Sequence, residues 1–491
     1  MKKVENMWKN DRESVKTLGE IDKVKISKEN LKKYLSADDI VYSAFSFGGT
    51  GALLVCVDGL VNEQTVDESI LAVFHRVDAF KHCDTQKKAV ALMNSGFKSH
   101  AASTQVFKLS EVIEGVLSAN FAVVFEDENT AFLFDIKGFE KRSIEPSDNE
   151  NTMKGSKDVF TEPLRVNTAI IRRHIRSHNL AVKQIEVGKV TSCTVALTYM
   201  ENMADMSLVA RIEKVLKGID CVGVVSLGQI EEALSADGFS LFPKLLSTER
   251  ADKFCANVLN GRVGIIVDGY PVTFIAPACF SMFFQTPDDY SLHFVFMSFI
   301  RMIRYACFAL SLSLPAIYLA VVSFHGEIIP ARLAQSIMSA KLGVPFSAFF
   351  EIFFMLIAFE ILIEAGLRLP QGMGQTVSIV AGLVVGDSAI NAKLVSPAVV
   401  MVMAVSGITC FVIPYQDFAN PIRLIRLVFI FAAQLFSLFG VVVVTICTVV
   451  YLNSIESFGL PYLAPFSQYS VKSWFKDTFL RGRYSDKKVY R

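Results

Sequence analysis

The chain runs to 491 residues, room for about three domain-sized units. Its 49 basic and 48 acidic residues leave a net charge of +1, so no global positive field favours nucleic acid. Nine cysteines, scattered from Cys56 to Cys447 without a CxxC pair, exclude a disulfide framework and a structural zinc site. Charge is also uneven along the chain. Apart from uncharged stretches such as 269–287 it is scattered throughout up to Arg301 and Arg304, and from Tyr305 long uncharged runs follow one another.

Residues 1–36 read as a charged arm, and the hydrophilic start MKKVENMWKNDRESVK is no secretory signal. A first mixed α/β subdomain is expected over 37–145. Its strands are Ala52–Val57, Phe121–Phe125 and Ala131–Ile136, the last two joined through a polar turn at Asp127–Asn129. Residues 146–158 read as a linker rich in Ser, Asp, Asn and Lys. A second mixed subdomain follows over 159–290, with helices Val166–Ile175, Ser207–Lys217 and Asp252–Leu259 and a strand at Cys193–Tyr199. Strands Arg262–Val267 and Val272–Ala276 flank Asp268-Gly269, the strongest hairpin signal in the chain. Gly264–Phe284 is apolar enough to suggest a membrane span, but Asp268-Gly269-Tyr270-Pro271 interrupts it with turn chemistry, so buried strands are expected.

The fold class is therefore an α+β cytoplasmic N-terminal region followed by an all-α multi-pass transmembrane bundle over 300–455, with a basic tail at 456–491. Tyr305–Phe324 has no charged residue, matching the roughly 20 residues a helix needs to cross a bilayer. Val344–Ile363, Leu394–Ile413 and Leu427–Leu452 are further spans, and Thr376–Asn391 is apolar but short. Arg301 and Arg304 put the N-terminal region inside. Five spans then place the basic tail outside, whereas four place Arg423 and Arg426 outside, so the charge rule leaves four or five spans open.

Carboxylates inside apolar stretches are expensive and need a role or a partner. Glu351, Glu360 and Glu364 are such acids. On a helix Glu360 and Glu364 share a face, while Glu351 lies about half a turn away. They read either as an ion path or as interfacial pairs with charges such as Arg368. In Gly372–Asp387, residues Gln375, Ser378, Gly382 and Gly386 form a stripe of small and polar side chains ending at Asp387. Such a stripe permits close helix packing or lines a water-filled path, and Asp387 would form a charged ring in a symmetric oligomer. In the N-terminal region Arg165, Arg172, Arg173 and Arg176 make a basic helix face for an anion, a partner or plain solvent. His174 and His178 have metal-ligand spacing, but no intervening glutamate and no third ligand accompany them. Gly48-Gly49-Thr50-Gly51 lacks the Lys-Ser/Thr ending of a phosphate loop. No catalytic set, cofactor site or metal site can be assembled, and an enzyme is not expected.

Several blocks then occur in order: Gly155-Ser156-Lys157-Asp158-Val159-Phe160-Thr161-Glu162 with Asn167-Thr168-Ala169-Ile170-Ile171-Arg172-Arg173, Leu241-Phe242-Pro243-Lys244, Thr248-Glu249-Arg250-Ala251-Asp252, and Gly261-Arg262-Val263-Gly264-Ile265-Ile266-Val267-Asp268. Phe324-His325-Gly326-Glu327-Ile328-Ile329-Pro330, Glu364-Ala365-Gly366-Leu367-Arg368-Leu369-Pro370 and Phe458-Gly459-Leu460-Pro461-Tyr462 continue the series. Over about residues 40–470 the chain resembles the GerA-type spore germination proteins, A-subunit class. It departs from their pattern at Ser156-Lys157, Val159 and Ala251. The resemblance implies a multi-pass protein of the endospore inner membrane. It would be the A subunit of a nutrient germinant receptor, acting with a transporter-like B subunit and a lipoprotein C subunit. It further implies self-assembly into a germinant-gated ion channel, contact with membrane lipid, and no nucleic-acid partner. A non-conducting scaffold that docks the B subunit, and a SpoVA-operon A-type protein that amplifies ion release, are the alternatives.

Overall fold

The computed structural model describes residues 21–95, 103–136, 138, 150, 154–235, 240–368, 386–464, 466 and 478–481. Contacts divide the described residues into two units, one lying within 21–235 and 245–277 and the other within 240–244 and 278–481.

The first unit contains two five-stranded sheets. Helix α1 (Lys28–Tyr34) precedes β1 (Ile40–Phe47), β2 (Thr50–Val57), β3 (Ser103–Val106), α2 (Leu109–Leu117), β4 (Phe121–Phe125) and β5 (Thr130–Phe134). The strand order is β1-β2-β4-β5-β3, antiparallel throughout. Because β4 and β5 are buried on both faces, they read as unbroken apolar runs rather than alternating ones. Ala122, Val124, Ala131 and Leu133 face the core shared with α1 and α2. Phe121, Val123, Phe125, Phe132 and Phe134 face an aromatic core completed by Phe74 and Phe80. Residues 21–36, expected as part of a charged arm, are packed instead. Ile21, Ile26, Leu31 and Leu35 are all buried, and the Ser27 side chain accepts the Asn30 N–H to cap α1.

The second sheet repeats the plan. Helix α3 (Leu164–His174) precedes β6 (Leu180–Val187), β7 (Cys193–Met200), α4 (Met206–Lys217), β8 (Leu246–Thr248), α5 (Ala251–Leu259), β9 (Val263–Val267) and β10 (Thr273–Ala276). The order is β6-β7-β9-β10-β8, again antiparallel throughout. The apolar run from Gly264 thus folds as β9, a turn and β10, and ends in a 3-10 segment, Phe280–Phe284, that belongs to the helical unit.

The helical unit contains α6 (Phe294–Phe324), α7 (Ala331–Lys341), α8 (Ala348–Arg368), α9 (Pro397–Phe411) and α10 (Gln416–Ser454). Two of these, α6 and α10, are long and apolar enough to cross a membrane, while α9 is apolar but shorter. Side-chain pairs set the directions. The Ser396 N–H donates to Glu351 at 2.7 Å near the starts of α9 and α8, and about two and a half turns further on Arg426 touches both Ser406 and Glu360. Therefore α8 and α9 run parallel. Ring contacts of Phe418 with Phe308 and a 3.0 Å contact of Ser437 with His325 make the first half of α10 parallel to α6.

Leu427–Leu452 was expected as one span, and here the structure differs. Ser437 lies at φ 57°, ψ −143°, and the helix breaks there. A straight helix would separate Phe418 from Tyr451 by about 50 Å. Both rings instead lie against Phe242, at 5.2 and 6.3 Å. So 416–436 and 438–454 form a helical hairpin. Its close approach leaves no room for a Cβ at Gly440, which would collide with the Ala432 carbonyl. The described residues of the tail also pack: Tyr462 is fully buried, with rings of Phe280 and Phe283 about it, and Arg481 donates to the Tyr290 carbonyl at 2.8 Å.

Candidate functional site

Two clusters gather the residues the sequence singles out. In the first unit they centre on α3. Its N-terminal Leu164 N–H donates to Asp268 at 2.9 Å, which uses the helix end to hold a carboxylate. Asn167, buried, donates to the Thr161 carbonyl at 2.6 Å and accepts the Thr161 N–H at 2.7 Å. Next to this, Phe160 N–H donates to the Glu249 carbonyl and Ala251 N–H to that of Asp158. The blocks around 155–173, 248–252 and 261–268 are thus stitched together by backbone and carboxylate bonds.

The four arginines do not make one open face. Arg172 is 1 % exposed and forks onto Asp39, with Nε to Oδ2 at 2.6 Å and Nη2 to Oδ1 at 2.8 Å; Nη1 donates to the Ser177 carbonyl. Arg165 pairs with Asp58 and Glu63, and Arg173 pairs with Asp158. Arg176, past the end of α3, is exposed. His174 reaches the same Asp158 at 3.2 Å, while half-burial pushes the His178 imidazole below its usual range. Among the described residues no group of His, Cys, Asp or Glu is arranged to hold a metal. Close by, Arg250 chelates Asp252, and Lys253 meets Glu150 at 3.1 Å. Burial lowers the Lys253 ammonium from the ordinary lysine value, and Glu150 opposes that shift.

In the helical unit the embedded acids all have cationic neighbours. Glu360 on α8 pairs with Arg423 and, at 3.1 Å, with Arg426, both on α10. Arg426 is buried and donates to Ser406 on α9 at 3.2 Å, and Ser406 donates to the Ser311 carbonyl on α6 at 3.1 Å. One polar chain thus joins all four long helices. It is not fully satisfied, because the Nε atoms of Arg423 and Arg426 are buried without a hydrogen bond. Glu351 is fully buried. It accepts the Ser396 N–H at the start of α9 and lies 3.5 Å from Lys341. Glu364 is exposed and pairs with Arg368 one turn on. Gln375, Ser378 and Gly382 lie outside the described residues. Gly386 and Asp387 begin a short helical stretch, 386–391, in which Asp387 is exposed and accepts from Asn391 at 3.0 Å.

Sequence reasoning used Arg301 and Arg304 as a topology signal and missed their partner. Asp289, fully buried, takes Arg301 at 2.6 Å and Arg304 at 2.9 Å, and Arg304 also donates to the Phe284 carbonyl at 2.7 Å. It likewise missed Asp39 as the partner of Arg172, and Arg423 and Arg426 as the partners of Glu360. A signal existed for the last pair, since an acid and two arginines in apolar runs are expected to seek one another.

Comparison with known proteins follows the same lines. Residues 27–490 match the family described as Bacillus/Clostridium GerA spore germination protein. The chain is 35% identical over 462 residues to the membrane protein YfkQ of Bacillus subtilis (strain 168), covering 92% of this chain and 88% of that one. It is 32% identical over 456 residues to spore germination protein B1 of the same organism (92% and 93% covered). With spore germination protein KA, also of Bacillus subtilis, it shares 35% over 452 residues (90% and 82%). A crystal structure of the N-terminal domain of the A subunit of the Bacillus megaterium spore germinant receptor GerK3 aligns with TM-score 0.40 and 25% identity, over 51% of this chain and 92% of that one. This chain belongs to the GerA family of spore germination proteins.

Proposed function

We propose that this chain is the A subunit of a nutrient germinant receptor in the spore inner membrane, and that its helical unit conducts ions when germinant binds. The observation that carries the reading is the parallel course of α8 and α9, with Glu351 beside Ser396 and Glu360 and Ser406 both on Arg426. Parallel neighbours need a connection that returns across the bundle, and that connection contains the stripe Gln375, Ser378, Gly382, Gly386 and Asp387. Small and polar residues in a returning segment suit a water-filled path rather than lipid. In an assembly of several copies, Asp387 would supply a ring of carboxylates at one mouth.

The same geometry supports six crossings in place of four or five: α6, α8, the returning connection, α9 and the two arms of α10. An even count keeps Arg301, Arg304 and the basic tail on one side, which removes the conflict in the charge rule. With that side inside, the N-terminal unit is cytoplasmic, and B-type and C-type receptor subunits are the expected partners.

Reconstitution of the purified protein into vesicles tests the reading. Germinant-dependent ion flux that is lost in Ser378→Trp or Gly382→Leu supports the path, and flux unchanged by both would exclude it. A second reading, a non-conducting scaffold that docks the transporter-like subunit, is favoured by the pairing of Glu351, Glu360 and Glu364 with basic groups. Vesicles that stay tight with germinant and partner subunits present would select it.

A further inference from the structure

Helix α7 stands apart from the four long helices of the unit, because none of its residues is buried. Its sequence, ARLAQSIMSAK, is nonetheless amphipathic. At 3.6 residues per turn Leu333, Ala334, Ile337 and Met338 share one face, and Arg332, Gln335, Ser336 and Ser339 share the other. The apolar side is open: Leu333 is 53 %, Met338 72 % and the following Leu342 75 % exposed. An apolar face left uncovered on an 11-residue helix is costly in water.

The position of α7 identifies what covers it. It follows the end of α6 at Phe324 and precedes the start of α8 at Ala348, and Lys341 at its end lies 3.5 Å from Glu351 in the first turn of α8. If α6 and α8 cross a bilayer, α7 lies where they emerge, at headgroup depth. No acidic residue occurs from Ile328 to Phe350, whereas Arg332 and Lys341 are basic. We infer that α7 lies flat in the membrane surface, with Leu333, Ile337 and Met338 among the upper acyl chains and Arg332 toward anionic headgroups. The inference rests on the membrane reading proposed above and adds a lipid-binding element to it.

Single tryptophans report the depth. In full-length protein carrying Trp8→Phe and Trp474→Phe, Leu333→Trp, Met338→Trp, Gln335→Trp and, within α6, Ile317→Trp are compared in vesicles of phosphatidylcholine and phosphatidylglycerol. Quenchers are lipids brominated near the headgroup, lipids brominated near the bilayer centre, and aqueous iodide. Leu333→Trp and Met338→Trp should be quenched most by the shallow bromines, Gln335→Trp by iodide and Ile317→Trp by the deep bromines. Omitting phosphatidylglycerol should weaken the shallow quenching at both apolar positions, and Arg332→Gln should do the same. If Ile317→Trp is quenched by lipid but Leu333→Trp and Met338→Trp answer only to iodide or to neither, water or another protein covers α7. That result overturns the inference and leaves the membrane reading standing. If Ile317→Trp itself escapes lipid quenching, the membrane reading fails and the inference falls with it. Shallow quenching that ignores phosphatidylglycerol would overturn its electrostatic half.

Discussion

The two sheets of the N-terminal unit share one topology but reach it with opposite packing devices. In the first, α2 lies on the sheet through Gly115, a glycine of the helix, where a Cβ would run into the methyl groups of Leu133 on β5. In the second the glycine is on the strand. A Cβ at Gly264 of β9 would strike the ring of Phe254 from α5 and come within 2.6 Å of the Thr198 hydroxyl. Their cores differ as well. The first is filled with tilted and edge-on phenylalanines, including Phe47, Phe74, Phe80 and Phe125. The second is bordered by the ionic set of Arg250, Asp252, Lys253 and Glu150, and the family blocks within 155–173, 248–252 and 261–268 lie around it. The difference suggests a division of labour, in which the first sheet supplies cohesion and the second is held in a specified arrangement by directional bonds.

Arg172 is where that contrast can be broken most forcefully, since it ties α3 of the second half to Asp39 at the head of β1. Both side chains are 1 % exposed. Asp39→Ala leaves a buried guanidinium without its carboxylate and should cost about 3–5 kcal/mol. Denaturant unfolding of the purified protein measures it. A loss under about 1 kcal/mol would mean that the joint is dispensable. Replacing both partners with apolar residues of similar volume, Asp39→Leu with Arg172→Met, should recover much of the loss.

Gly264→Ala comes next. Its added methyl meets an aromatic ring held in the core, not a flexible end, so overpacking of about 1–3 kcal/mol is expected in the same unfolding assay. Gly115→Ala is the matched case. Its neighbour is a leucine side chain that can rotate, and alanine favours the helix by about 1 kcal/mol, so the net change should be near zero. Equal losses at the two sites would show that the two packing devices are not different in kind.

How far the chain could be read beforehand follows the same physics. The strands β4, β5, β9 and β10 were legible because burial on both faces makes them uninterrupted apolar runs bounded by turn residues. The edge strand β1 was not, because its pattern neither alternates nor runs unbroken: Ile40-Val41 and Ala44-Phe45 are adjacent apolar pairs separated by Tyr42-Ser43, and much of the strand is exposed. Arg172 and Asp39 are 133 residues apart, and no local pattern announces their pairing. The fold-back of α10 was hidden for a different reason. Its turn sits at a serine in a left-handed backbone rather than at a proline, and the run on both sides is continuously apolar. In the helical unit the acids were legible and their partners were not, because Arg423 and Arg426 read first as a topology signal. Glu360 keeps Arg423 when Arg426 is lost, so Arg426→Met should destabilise the bundle by only about 1 kcal/mol. The double change with Arg423→Met should cost more than the sum of the single ones, which a double-mutant cycle would show.

The smallest effect expected is also the one that returns to the second sheet. His178 follows α3 and leads into β6, and burial holds its imidazole below the ordinary histidine value of 6.5, against a weaker opposing pull from Glu201. In the unfolded chain the same side chain takes a proton near 6.5, so between that value and the lowered one the unfolded state binds more protons than the folded state. Stability therefore rises with pH through this window. The contribution is fully present above about 6.5 and is lost progressively as pH falls toward the lowered value, with no further change from this group below it. Because the ring is only half-buried, the slope is small and shared with solvent. His178→Gln should flatten it without changing stability above pH 7, and a melting-temperature profile across the mildly acidic range reads it directly. An unchanged slope in His178→Gln would assign the acid sensitivity of this sheet to groups other than His178.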